Sequence, residues 1–420
     1  MVGLATRLRR NVFAQGILSI SMGTIIGQGI SILVSPILTR LYLPAAMGAW
    51  GLFISFVSVG TVGGALRYEL AIVAAKEQKD AQALAGYALT FSILVSLIGG
   101  VVFDVFRRHE ILGYEVFSWW MGGLATLVIV INVWGQIFRF WFIREKKFME
   151  VGYFVGGRGI FRSITQVSLS SWQGVGLILG EVFGRLISLG IFLRRFPFRE
   201  TFRSVLSWQN SNSLKKFKEY PFLFLPSAFI DTLALMAPVP VFTAVYGIDV
   251  GGMLALALRV VSIPLLLIGN AVADVFFGEV ADLTRHQSKK ANTLFMKSTF
   301  RLGSFALILG IGLWWLAPWG VEVLFGNMWR STGEMLRIMV PWFVTMLTVS
   351  PISRLVFLSR YPWAKLFYDI LALFGVSLPL WLNLSEPLEA LRLVTWVQAG
   401  LYVLYWLILF FAVRQGLEAK

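Results

Sequence analysis

Five arginines fall inside stretches of the chain that are otherwise apolar: Arg158, Arg162, Arg185, Arg259 and Arg301. A guanidinium at the centre of a membrane helix costs about 2.5–3.5 kcal/mol on insertion scales, so each needs an acidic partner, a route to the interface or a wet cavity. Arg158 and Arg162 have the spacing that places both on one helix face, where like charges repel. Unless carboxylates from neighbouring helices neutralise them, that face suits an anionic ligand, and Gln166 extends the stripe with a hydrogen-bond donor for phosphate or sugar. Arg185 follows Glu181 by one helical turn, so a local Glu–Arg pair is its simpler account. Arg259 lies about 14 Å into its span at a rise of about 1.5 Å per residue, near the midplane. Arg301 is close enough to a helix end to snorkel.

Other charges sit near expected span ends. Arg67 and Glu69 fall where the second span meets the cytoplasm, and on a continuous helix their spacing turns them apart, so they are not expected to pair. Snorkelling and ligand contact explain Arg40 and Arg139 equally well. Asp231 and Asp274 either bind a coupling H⁺ or Na⁺ or neutralise an arginine. Thiol and metal chemistry are not expected: the chain has no cysteine, and its two histidines, His109 and His286, both lie in charged loops.

These residues belong to a chain of 420 that is 57% hydrophobic and only 14% charged. A soluble domain carries about 25% charged residues. Apolar runs long enough to cross a bilayer recur from end to end, and we read about twelve helical spans. They run near residues 12–38, 49–66, 84–106, 117–142, 151–170, 174–193, 220–246, 250–280, 298–318, 334–357, 365–382 and 391–413. The expected class is an all-α membrane protein of two six-helix bundles around a central cavity: residues 1–196, a cytoplasmic linker at 197–219, and residues 220–420. No cleavable signal peptide is expected, since the basic start leads into a full-length span.

A net charge of +15 would point to nucleic acid in a soluble protein. Here it reads as cytoplasmic loops held at an anionic leaflet. Lys and Arg concentrate on one side, at Arg144, Lys146, Lys147, Lys215, Lys216 and Lys218, which places both termini in the cytoplasm. A pattern of Pro36, Thr39, Tyr42 and Gly48 returns with the same spacing as Pro240, Thr243, Tyr246 and Gly252, the mark of two parallel repeats. Gly23, Gly27 and Gly29, and the prolines around Pro238, fit close helix packing and bending.

The segments SPILTRLYLP, MGAWGLF and LRYELAIVAAKEQKDAQAL, then KEYPFLFLPSAFIDTLALMAPVPVF and GGMLALALRVVSIPLLLIGNAVADVFFGEVADL, resemble Wzx-type polysaccharide flippases. These belong to the multidrug/oligosaccharidyl-lipid/polysaccharide exporter (MOP) superfamily. The resemblance covers most of the chain and weakens after about Leu302. It implies a cationic cavity, alternately open to each side, that carries an undecaprenyl-diphosphate-linked oligosaccharide across the bacterial inner membrane for O-antigen, capsule or exopolysaccharide synthesis. It also implies diphosphate contact at Arg67, Arg158 and Arg259, to which the helical stripe adds Arg162 and Gln166. A polysaccharide polymerase and a chain-length regulator are the implied partners. Asp231 departs from the family pattern, where Asn is expected, which marks it as a cation-coupling candidate. A cation-coupled drug antiporter of the same fold is the alternative, but it needs an acidic cavity. An enzyme is not expected, because no loop is large enough to hold paired catalytic carboxylates or a metal site.

Overall fold

A bilayer interior offers no water, so a spanning chain must satisfy its backbone within itself, and helices do that locally. The computed structural model describes residues 2–193, 195–198, 200–201, 211–265, 269, 272–273, 276, 279–280, 288–358 and 363–414. Every regular element among them is helical. The chain separates into two compact units, Met1–Thr232 and Leu233–Lys420.

The first unit runs α1 (Val2–Leu41), α2 (Pro44–Gly64), α3 (Tyr68–Ala74), α4 (Gln78–Arg108), α5 (Met121–Arg144), α6 (Phe148–Ser168), α7 (Gln173–Leu193) and the short α8 (Ser211–Lys216). Helix α9 (Leu225–Met236) contains the division between the units. The second unit continues as α10 (Pro238–Tyr246), α11 (Ile248–Pro264), α12 (Ser288–Phe325), α13 (Arg330–Ile338), α14 (Val340–Val349), α15 (Trp363–Ser377) and α16 (Pro387–Arg414).

Among the described residues, seven helices are long and apolar enough to cross a membrane, or nine spans if each of two bent helix pairs counts as one. The bends are 42° where Pro238 opens α10 and 55° between α13 and α14. Helices α6, α7 and α11 are not among these: α11 has only 17 residues, and α6 and α7 carry arginine in mid-helix. Outward faces are apolar, as lipid contact requires: Leu33 is 75% exposed, Ile308 69% and Phe222 81%.

Several buried serine and threonine hydroxyls donate one turn back along their own helix. Ser31 gives its hydrogen to the Gly27 carbonyl (2.8 Å), Ser35 to Ser31 (2.8 Å) and Thr61 to Val57 (2.6 Å).

Helices α1 and α6 meet through glycine. Gly23 and Gly27 face Gly152, Gly156 and Gly159, so the two backbones touch directly. A Cβ on Gly27 would stand 2.8 Å from the Val155 carbonyl oxygen, and one on Gly23 would strike the Gly152 carbonyl. The run Gly156-Gly157-Arg158-Gly159 is therefore packed helix and not a phosphate-cradling loop.

Between α2 and α3 the helix breaks. Leu66 and Arg67 take left-handed backbone angles, φ 52° and 65°. That break corrects the expectation for Arg67 and Glu69. On one continuous helix they would point apart, but the kink turns the Arg67 guanidinium to 3.6 Å from the Glu69 carboxylate. Arg144, at the end of α5, braces the next turn. Its Nη1 donates to the carbonyls of Ile72 (3.0 Å) and Ala75, and its Nη2 to that of Glu77 (3.2 Å). Asp80, in the first turn of α4, accepts from Ser213 Oγ (2.8 Å) and Lys216 Nζ (2.6 Å). The bond to Asp80 holds the Lys216 ammonium above its ordinary pKa.

The repeated pattern does the same job in each unit. Tyr42, at the end of α1, donates its hydroxyl to the Gln166 carbonyl at 2.6 Å. Tyr246, at the end of α10, donates to the Leu384 carbonyl at 2.9 Å. In the second unit Phe295, Ile352, Leu355, Tyr405 and Leu409 are buried together, and the Arg337 guanidinium lies 3.9 Å over the Trp314 ring.

Replacing Gly152 with valine should separate α1 from α6 and lower stability by about 1–3 kcal/mol. Gly29→Ala is the control, since nothing lies within 4 Å of the added methyl. Thermal melting of the purified protein in detergent checks this: a clear drop for the first variant, little change for the second.

Candidate functional site

Three helices each turn a polar stripe toward one place in the first unit. Thr24 and Gln28 sit one turn apart on α1, Gln136 and Arg139 on α5, and Arg158 and Arg162 on α6. Together with Gly27, Gly135, Phe154, Val155 and Gly159 they line a cavity of about 300 Å³. Its cations come from α5 and α6, and none of its lining residues is a carboxylate. Gly135 makes room for the Phe154 ring, which would lie 2.9 Å from an added Cβ.

Behind the cavity wall is the acid that the sequence points to. Glu181 is fully buried, and Arg185 holds its Oε1 from both Nε (2.7 Å) and Nη2 (2.6 Å). The local pair expected one helical turn apart is therefore formed. Arg162 approaches the same oxygen at 3.8 Å, a looser contact, while its Nη2 donates to Ser31 Oγ at 2.6 Å. Arg158 forms no ion pair among the described residues. Its Nη2 donates at 3.4 Å to Asn132 Oδ1, which also accepts from Arg185 Nη1. Asn132 in turn donates through Nδ2 to Thr61 Oγ1 at 3.2 Å. Three guanidiniums thus surround one carboxylate and share two acceptor oxygens. The surplus positive charge lies on Arg158 and Arg162, the two that reach the cavity. Such an arrangement attracts and orients anions, because charge-assisted hydrogen bonds strengthen where water is scarce.

The other candidate residues lie elsewhere. Gln166 is buried, and its amide donates to the Leu177 carbonyl (3.3 Å) and to Glu181 Oε2 (3.4 Å), so it faces α7 and is not part of the cavity lining. Arg67 sits at the break before α3, also outside the lining. Arg259 is half-buried on α11 of the second unit. Asp231 is exposed on α9 and Arg301 is exposed on α12. Asp274 lies outside the described residues.

Several members of the site, among them Thr24, Gln28, Asn132 and Gln136, are not singled out by the sequence, whereas Arg139 is. Asn132, Gln136 and Arg139 follow one another at helical spacing along an apolar span, and Thr24, Gln28, Ser31 and Ser35 do so along another. A polar stripe of that kind is the signal that would have found them.

No protein-family model matches the chain. A curated relative, the succinoglycan biosynthesis transport protein ExoT of Rhizobium meliloti (strain 1021), is 22% identical over 318 residues. The match takes in 74% of this chain, which spans 62% of that relative's length. Among solved structures, the lipid II flippase MurJ in an inward closed conformation aligns with TM-score 0.65 and 15% identity, over 93% of this chain and 87% of that one. An inward-facing multidrug resistance MATE family transporter of the MOP superfamily aligns with TM-score 0.59 and 16% identity, over 95% and 97%. The chain thus shares the all-helical fold of these solved structures, the fold class the sequence led us to expect. The relatives are transporters and flippases by name, not enzymes.

Removing the buried carboxylate leaves the cations around it without compensation. Glu181→Gln should destabilise the protein by about 3–5 kcal/mol, whereas Glu150→Gln, which breaks an exposed pair with Arg195, should cost about 1 kcal/mol or less. Comparing the two melting transitions in one detergent checks the difference.

Proposed function

We propose that the protein is a flippase that moves an undecaprenyl-diphosphate-linked oligosaccharide from the cytoplasmic to the periplasmic leaflet of a bacterial inner membrane. Transport is by alternating access and serves surface polysaccharide synthesis. One observation carries this reading: a cavity of about 300 Å³ whose lining holds Arg139, Arg158 and Arg162 and no carboxylate. A diphosphate is the charged part of such a cargo and the part least able to enter hydrocarbon. Arg158 and Arg162 offer it hydrogen bonds and counter-charge, while Glu181, already committed to Arg185, keeps the cluster from flying apart. The relatives named for succinoglycan transport and for lipid II flipping support the reading. The sign of the cavity argues against cationic drugs.

An inside-negative potential favours outward passage of an anion by about 2.3 kcal/mol per charge per 100 mV. That field alone can drive the export step. Arg67 and Arg259 are the further cargo contacts in this scheme, and Asp231 and Asp274 are the sites for a coupling H⁺ or Na⁺. Both termini lie in the cytoplasm, and a polymerase and a chain-length regulator act on the delivered cargo.

The test is surface polysaccharide in a strain whose export depends on this gene. Each charge-assisted hydrogen bond contributes about 1.5–3 kcal/mol, so Arg158→Ala with Arg162→Ala should reduce export about tenfold or more at equal protein level. Normal export by that variant would overturn the proposal.

A further inference from the structure

The cavity is not lined by cations alone. Thr24, Gln28 and Gln136 face it beside the arginines. Thr24 donates its hydroxyl hydrogen to the Ile20 carbonyl at 2.9 Å, so it presents lone pairs to the cavity. Gln28 and Gln136 are half-buried, and neither side chain has a hydrogen-bond partner among the described residues. A carboxamide accepts as well as donates, and its oxygen repels phosphate oxygens while pairing with O–H or N–H groups. A receptor for a bare diphosphate needs donors only. Cations set beside acceptor oxygens instead match a ligand that carries an anion and hydroxyls close together, which is a sugar bonded to phosphate.

Size points the same way. At about 300 Å³ the cavity is at the lower end of small-molecule sites, which run to about 1,000 Å³. That is room for a headgroup and its adjoining sugar, not for a whole oligosaccharide.

We infer that Gln28 and Gln136, with Thr24, are specificity-determining residues that read the glycosyl group next to the diphosphate, so the site prefers a glycosylated lipid diphosphate to the bare one. The inference rests on the flippase reading and deepens it. The preference runs against simple electrostatics, because glycosylation removes a negative charge that the arginines would otherwise favour.

Calorimetry on the purified protein tests it with inorganic pyrophosphate, farnesyl diphosphate, and farnesyl diphosphate carrying glucose, galactose or N-acetylglucosamine. At least one glycosylated probe should bind about tenfold more tightly than farnesyl diphosphate, the ratio that about 1.4 kcal/mol of added hydrogen bonding provides. In Gln28→Leu with Gln136→Leu that ratio should fall to about twofold or less. Should the double variant fail to fold, Gln136→Leu alone is read in the same way. A wild-type protein that binds pyrophosphate but shows no preference for any glycosylated probe overturns the inference and leaves the flippase reading standing. So does a folded variant that keeps the preference. A wild-type protein that binds none of the probes removes the flippase reading, and the inference falls with it.

Discussion

Charge that hydrocarbon cannot solvate has to be answered by the protein itself, and in the first unit three guanidiniums are answered by a single carboxylate. Glu181 Oε1 accepts from Arg185 and has Arg162 at 3.8 Å, while Asn132 Oδ1 accepts from Arg158 and Arg185. Because the acceptors are shared, Arg158, Arg162 and Arg185 cannot be placed independently of one another. The network draws in Ser31 from α1, Thr61 from α2 and Asn132 from α5. Helices that would otherwise be held by dispersion alone are thereby fixed in register. In a bilayer this matters more than in water, where no comparable penalty attaches to a slipped polar contact.

The same arrangement explains why the cavity lies where it does. On α6 the glycines that meet α1 and the arginines that face the cavity are neighbouring stripes, about 100° apart at about 3.6 residues per turn. One stripe brings α1 close, and the other is thereby held beside it. The polar residues of α1, at Thr24, Gln28 and Ser31, are then within reach of the arginines. Close approach of the backbones is thus a condition of the site and not only of stability.

Much of this is legible in the chain, and the parts that are not have identifiable causes. Arg158 with Arg162, and Glu181 with Arg185, follow from helical spacing, which holds because α6 and α7 are unbroken. Arg67 and Glu69 defeat the same logic, because the backbone turns left-handed at two residues, Leu66 and Arg67, that carry no glycine or proline to announce it. Gln166 keeps its place on the stripe, yet its amide is taken by Glu181 and the Leu177 carbonyl, an outcome decided by how α7 packs. The tyrosine repeat is a better guide, since a hydroxyl at a helix end needs a carbonyl in either unit, and Tyr42 and Tyr246 both find one. Asn132 shows in the sequence only as one member of a polar stripe on α5. Its importance comes from two arginines that approach it from different helices.

The glycine contact has a mechanical side. Where side chains interlock, one helix moves along another only by driving rotamers over their barriers. At Gly23, Gly27, Gly152 and Gly156 there are no side chains to disengage, only two smooth backbones held by weak, short-ranged attraction. Within the first unit, that seam offers little friction to a sliding helix, and it runs beside the arginines.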